Sequence, residues 1–177
     1  VVTGATGGVG SLAVQCLAAC GYRVTALTRK DDAHEFLRSL GAAEVLSMSA
    51  VEMGTRPLEK SLWAGAVDPV GGETLAWLTR TMRHDGCIAS SGLTGGIEVH
   101  TTVMPFILRG VKLLGIESSK CPMKLRRQVW QRLATDMKPK NLEATAQEIG
   151  LDELHVAFAA LLKGSAKGRY IVKVRDS

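Results

Sequence analysis

The chain has 177 residues, of which 46% are hydrophobic and 22% charged, with a net charge of +5. That length suits one domain with a sizeable core, and the composition excludes a disordered segment. No apolar run approaches a membrane span, no signal-peptide pattern opens the chain, and the basic excess is too diffuse for a nucleic-acid stripe.

Val1, Val2 and Thr3 read as a strand already under way, without an initiator Met, so a preceding domain is expected. A glycine loop follows at residues 4–10, then a helix over 11–20 that Gly21 ends in the C′ position. A strand is predicted at 22–27. Asp31 or Asp32 is expected to cap the next helix, which carries Phe36, Leu37 and Leu40 and stops at Gly41. A third strand is predicted at 44–48, and a short helix within 49–62. The fourth strand, 64–70, ends at Gly71 and Gly72, and a helix over 73–83 follows. The turn His84-Asp85-Gly86 leads into a fifth strand at 87–90, and a loop occupies 92–96. A helical turn is predicted at 104–108, a sixth strand at 112–117, helices at 122–134 and 151–162, and a last strand at 169–174 that need not join the same sheet. Strands alternating with helices predict a doubly wound, three-layer α/β/α Rossmann-like fold with a parallel sheet.

Residues 3–10, TGATGGVG, lie between a strand and a helix, the context a dinucleotide loop requires. Glycines let the backbone approach a pyrophosphate, and the helix N-terminus offers it free N–H groups and a positive dipole end. A Walker A loop would need Lys after Gly10, where Ser11 stands. A short-chain dehydrogenase would need Tyr with Lys four residues on, but Tyr22 and Tyr170 are followed there by Ala26 and Val174. An NAD enzyme places an acid at the end of its second strand. Here Thr28, Arg29 and Lys30 occupy that place, and a guanidinium attracts the 2′-phosphate that an acid would repel. NADP(H) is therefore the expected cofactor.

With these residues placed, the sequence resembles the medium-chain dehydrogenase/reductases, in the zinc-independent group of acrylyl-CoA reductases and YhdH-type quinone oxidoreductases. The matching stretches are VTGATGGVGSLAVQCL from residue 2, HEFLRSLGA from 34, RPLEKSLWAGAVD from 56, TTVMPFILRGVKLLGIES from 101, RRQVWQRL from 126 and GRYIVKV from 168. The resemblance implies that Gly7, Gly8, Val9 and Gly10 cradle the pyrophosphate and that Thr28, Arg29 and Lys30 hold the 2′-phosphate. Val70, Gly71, Ser91, Gly92 and Leu93 would line the adenosine and ribose path, and Gly115, Ile116 and Glu117 would lie near the nicotinamide. It implies a cofactor domain over 1–163, with 164–177 returning to a GroES-like domain that supplies the rest of the substrate site, so no catalytic residue is nominated. The implied reaction is hydride transfer from NADPH to an activated C=C bond, acrylyl-CoA first and a quinone second. A non-catalytic nucleotide-binding or redox-sensing module is the alternative of another class. The sheet edge at 111–116 is the candidate homodimer contact.

Other residues carry less. Asp68, in a buried strand before Pro69, is expected to be hydrogen-bonded structurally. His34, His84, His100 and His155 show no ligand spacing and no evident acid partner. Lys120, Lys124, Arg126 and Arg127 read as a solvated helix face rather than a CoA-phosphate site. Trp63, Trp77 and Trp130 are expected in core or interface, too far apart for a nucleotide platform. Cys16, Cys20, Cys87 and Cys121 lack zinc or disulfide spacing, so they read as small buried hydrophobes in a reducing cytoplasm, and no metal site is expected.

Overall fold

The computed structural model describes residues 1–174; of the expected returning segment, 175–177 lie outside the described residues. The elements in chain order are α1 (Gly8–Ala19), β1 (Thr25–Thr28), α2 (His34–Ser39), β2 (Glu44–Ser47), β3 (Trp63–Asp68), α3 (Gly72–Thr81), β4 (Met82–Ser90), α4 (Met104–Arg109), β5 (Lys112–Gly115), α5 (Met123–Ala134), β6 (Ala146–Gly150), α6 (Leu154–Leu162) and β7 (Arg169–Lys173).

The opening residues form no full strand, but Val2 bridges Ala26 on one side and Val67 on the other, both in parallel. Its backbone bonds reach Thr25 and Leu27, and those of Val1 and Thr3 reach Val67. The segment thus joins two ladders into one parallel sheet in the order β2, β1, Val2, β3, β4, β5. Counting Val2 as the first strand, this is the 3-2-1-4-5-6 order of a Rossmann sheet. Successive side chains of a strand point to opposite faces, and the core divides accordingly. Val2, Ala26 and Val45 pack under α1 and α2 through Val14, Leu37 and Leu40. Leu27, Ala66 and Ile88 pack on the other face under α3, with Leu75, Trp77 and Leu78. The predicted three layers are present.

Several expected elements differ. Neither Asp31 nor Asp32 caps α2 with its side chain. Asp31 instead accepts a hydrogen bond from the Ser47 hydroxyl, and Asp32 pairs with Lys167. The helix expected in 49–62 reduces to the 3-10 turn Met48–Ala50. The turn at His84-Asp85-Gly86 lies inside β4, where the register with β3 shifts between Trp63↔Met82 and Gly65↔Cys87 and Asp85 takes a φ of 58°. β6 was not expected; it gives β7 a complete parallel partner from Ala146↔Arg169 to Gly150↔Lys173, in a sheet of its own. Trp63 and Trp77 meet edge to face with centroids 6.1 Å apart, so those two rings are neighbours in the core. Trp130, expected in core or interface, is exposed and no part of the core, and α5 has no buried residue, which agrees with the solvated face expected for Lys124, Arg126 and Arg127. Cys16 is buried, as expected, whereas Cys20, Cys87 and Cys121 are half-buried. No helix among the described residues is long and apolar enough to cross a membrane.

Candidate functional site

The strands Val2, β1, β3, β4 and β5 all run the same way, so their carboxyl ends share one edge of the sheet, where open α/β folds bind ligands. A cavity of about 580 Å³ opens there. One wall is Thr3, Gly4, Thr6 and Gly7; a second is Leu27, Thr28, Arg29 and Lys30; a third is Val70 with Thr94 and Gly95. Leu161, Leu162, Gly164 and Ala166, from the end of α6 and the turn after it, close the remaining side.

The glycine loop is built for close approach. A Cβ on Gly10 would lie 2.7 Å from Ala5 Cα and closer still to the Gly4 carbonyl oxygen, so α1 rests directly on the loop. No side chain caps α1 and no acid occupies its first turn, which leaves the N-terminal N–H groups and the positive dipole end for an anion. A backbone cradle with no acid in the first turn of its helix fits a pyrophosphate; Glu73, which also lines the cavity, is engaged with His100. Beside it, Thr3 and Asp68 brace two walls. Buried Asp68 accepts hydrogen bonds from the Thr3 hydroxyl, from Val70 N–H at 3.3 Å and from Gly71 N–H at 2.9 Å. Asp68 is thus the structural acceptor its position suggested.

Of the residues expected in the site, Gly7, Thr28, Arg29, Lys30 and Val70 line the cavity. Gly8, Val9 and Gly10 follow in the first turn of α1 without lining it. Gly71 has φ 75° and bridges Gly96, and Gly92 packs on Pro69, so the loops after β3 and β4 interlock through backbone that a Cβ would part. Ser91 donates its N–H to the Asp68 carbonyl, and Leu93 is exposed. Gly115, Ile116 and Glu117 stand at the same edge but outside the cavity. The Glu117 carboxylate accepts from Ser119, whose hydroxyl holds its pKa below the usual carboxylate range.

Sequence reasoning missed the contribution of the chain's end. Lys30 donates from Nζ to the Ala166 carbonyl, and Gly168 N–H donates to Thr6 O at 2.7 Å. Burial, with the charge of Lys167, pushes the Lys30 ammonium pKa down. The Thr28 hydroxyl accepts from Lys30 N–H at 3.0 Å and keeps its own proton to donate. Sequence reasoning also found no acid for His100, yet its Nδ1 lies 3.0 Å from Glu73 and its Nε2 3.3 Å from Glu98, and the Glu73 bond raises its pKa. Among the described residues no three His, Cys, Asp or Glu side chains converge as a metal-binding group.

The family model for zinc-binding dehydrogenases matches residues 8–153. The acrylyl-CoA reductase AcuI of Ruegeria pomeroyi is 43% identical over 175 residues, covering 98% of this chain and 53% of that protein. YhfP of Bacillus subtilis (strain 168), which carries a quinone oxidoreductase name, is 49% identical over 176 residues with the same coverage. Its crystal structure with NAD bound has a TM-score of 0.90 at 48% identity, over 98% of this chain and 53% of that one. The crystal structure of Escherichia coli K-12 YhdH with bound NADPH gives a TM-score of 0.92 at 46% identity, over 98% of this chain and 54% of that one. The chain spans about half the length of the curated relatives it matches. The chain belongs to the zinc-binding dehydrogenase family.

Proposed function

We propose that the chain is the NADP(H)-binding part of a reductase that delivers hydride to an activated C=C bond, with acrylyl-CoA as the leading substrate. The observation that carries the cofactor choice is the end of β1. Arg29 and Lys30 line the cavity, whereas Asp31 and Asp32 do not. Both carboxylates that follow β1 already accept bonds, Asp31 from Ser47, the β2 partner of Thr28, and Asp32 from Lys167, and these bonds compete with any ribose hydroxyl. In this reading Gly7, Gly8, Val9 and Gly10 hold the pyrophosphate on backbone N–H groups, and Thr28, Arg29 and Lys30 hold the 2′-phosphate. Val70, Gly71, Ser91, Gly92 and Leu93 follow the ribose path, and Gly115, Ile116 and Glu117 border the nicotinamide. Bound there, the cofactor supplies the hydride. The chain's own residues orient it.

Residues 1–163 are read as the cofactor domain and 164–177 as the segment that returns to a GroES-like domain. That YhdH has NADPH bound and AcuI bears the name acrylyl-CoA reductase supports this reading. The name of YhfP keeps a quinone as the second substrate. The exposed β5 edge, with Leu113, Leu114 and Ile116 in water, is the proposed homodimer contact; Val111 is buried and takes no part. Free cysteines agree with a cytoplasmic setting.

The test is a titration with NADPH and NADH, with Arg29→Ala alongside. Arg29→Ala is expected to weaken NADPH about ten- to a hundredfold, the worth of a charge-assisted pair, and to leave NADH nearly unchanged. Equal binding of both cofactors by the unaltered protein would overturn the NADP(H) assignment. If the full-length protein reduces neither acrylyl-CoA nor a quinone, the chain is a nucleotide-binding module and not part of a reductase.

A further inference from the structure

Three cations from distant parts of the chain meet at the open end of the cavity. Arg29 and Lys30 leave β1, and Lys167 arrives with the turn before β7. Lys30 reaches across to the carbonyl of Ala166, the residue next to Lys167. Lys167 lies near enough that its charge helps to depress the Lys30 pKa. Among the described residues the carboxylate paired with this group is Asp32, whose Oδ2 sits 2.6 Å from Lys167 Nζ. That pair bridges 135 residues of sequence with side chains 37% and 73% exposed, so solvent screens it and it stabilises the fold little. Lys167 therefore has a counter-ion it can leave at small cost, on a flexible four-carbon stem. Gly164 and Ala166 already line the cavity, and Gly168 is fixed to the glycine loop through Thr6, so the backbone that carries Lys167 belongs to the cavity wall.

Resting on the NADP(H) reading above, we propose that Lys167 is a third cation of the ribose 2′-phosphate subsite, parked on Asp32 until a 2′-phosphorylated adenosine enters, and that it helps set the preference for that cofactor over its unphosphorylated counterpart. A phosphate monoester brings a charge of about −1.5 to −2 at pH 7. Arg29 and Lys30 together match that charge, but Lys30 Nζ already donates to the Ala166 carbonyl, so the phosphate oxygens have room for a further donor. The incoming phosphate repels the Asp32 carboxylate and attracts the ammonium beside it. Lys167 exchanges one oxygen partner for another, and Asp32 turns to water. A residue that holds only the scaffold would affect both cofactors alike; Lys167 discriminates between them.

The experiment titrates the full-length protein with NADPH, NADH, 2′-AMP and 5′-AMP, using Lys167→Gln, Lys167→Arg and Asp32→Asn. Lys167→Gln is expected to weaken NADPH and 2′-AMP about tenfold, the loss of one charge-assisted bond, and to leave NADH and 5′-AMP within about twofold. Lys167→Arg should restore most of the loss, and Asp32→Asn should tighten NADPH by freeing Lys167. The dependence of NADPH binding on salt should fall in Lys167→Gln. Equal weakening of all four ligands, or no change in any, while Arg29→Ala still separates NADPH from NADH, would overturn the role of Lys167 and leave the cofactor reading standing. An unaltered protein that does not favour NADPH would overturn both.

Discussion

Gly10→Ala is expected to destabilise the protein by about 1–3 kcal/mol and to weaken NADPH about a hundredfold. Helix propensity argues for the opposite sign, since Ala in a helix is about 1 kcal/mol better than Gly. Packing decides the matter. The new methyl would fall within 2.7 Å of Ala5 Cα and 2.9 Å of the Gly4 carbonyl carbon, and these are backbone atoms that no rotamer change can move. Either the first turn of α1 lifts away from the loop or the loop leaves the sheet edge, and both separate the helix N-terminus from the pyrophosphate. Losing two charge-assisted bonds at about 1.5 kcal/mol each gives the hundredfold figure. Gly7→Ala is the contrast, because its Cβ would stand 3.4 Å from the Gly4 oxygen. It should leave the melting temperature nearly unchanged, since that separation is ordinary contact. Thermal melts of the two variants with NADPH titrations check the claim. A Gly10→Ala protein as stable as the unaltered one, binding NADPH as tightly, would show that α1 does not rest on the loop.

What the sequence made legible, and what it did not, divides by how far a signal reaches along the chain. α1, its stop at Gly21 with φ 79°, and the interlocking glycines after β3 and β4 are short-range chemistry, visible in consecutive residues. The order of the parallel sheet follows from alternating elements. β6 was missed because Ala146-Gln147-Glu148-Ile149-Gly150 buries fully only Ile149 and has no apolar alternation; its partner β7 lies some twenty residues on. Asp31 and Asp32 have the right type and place for caps. A Ser47 hydroxyl 16 residues away and Lys167 take them instead, and no local pattern shows that competition. The Glu73–His100 pair, 27 apart in sequence, forms where Gly71 and Gly96 bring their loops together. The same limit hid Leu161, Leu162, Gly164 and Ala166, whose place on the cavity depends on a helix folding back over the opening.

Asp68→Ala is the second large effect, and it tests whether the two walls of the cavity are held by one buried carboxylate. Asp68 and Thr3 are both fully buried. Removing the carboxylate leaves the Thr3 hydroxyl and the Gly71 N–H without their acceptor where water cannot replace it. Each such orphan costs about 1–3 kcal/mol, so a loss of about 3 kcal/mol is expected. For a domain of this size that lowers Tm by about 6–12 °C. Affinity for NADPH should fall with it, because Thr3, Gly4 and Val70 all line the cavity, Gly4 lies against Val70, and this brace sets their spacing. Asp68→Asn separates hydrogen bonding from charge. An amide oxygen can still accept from Gly71, and the Thr3 hydroxyl can turn to accept from the amide nitrogen, so only the Val70 N–H at 3.3 Å is left facing a donor. Asn should therefore recover more than half of the lost stability. Urea unfolding of the three proteins decides between the accounts. An Asn variant as unstable as the Ala variant would mean that negative charge at this position, and not its two accepting oxygens, keeps the loops after Val2 and β3 in register.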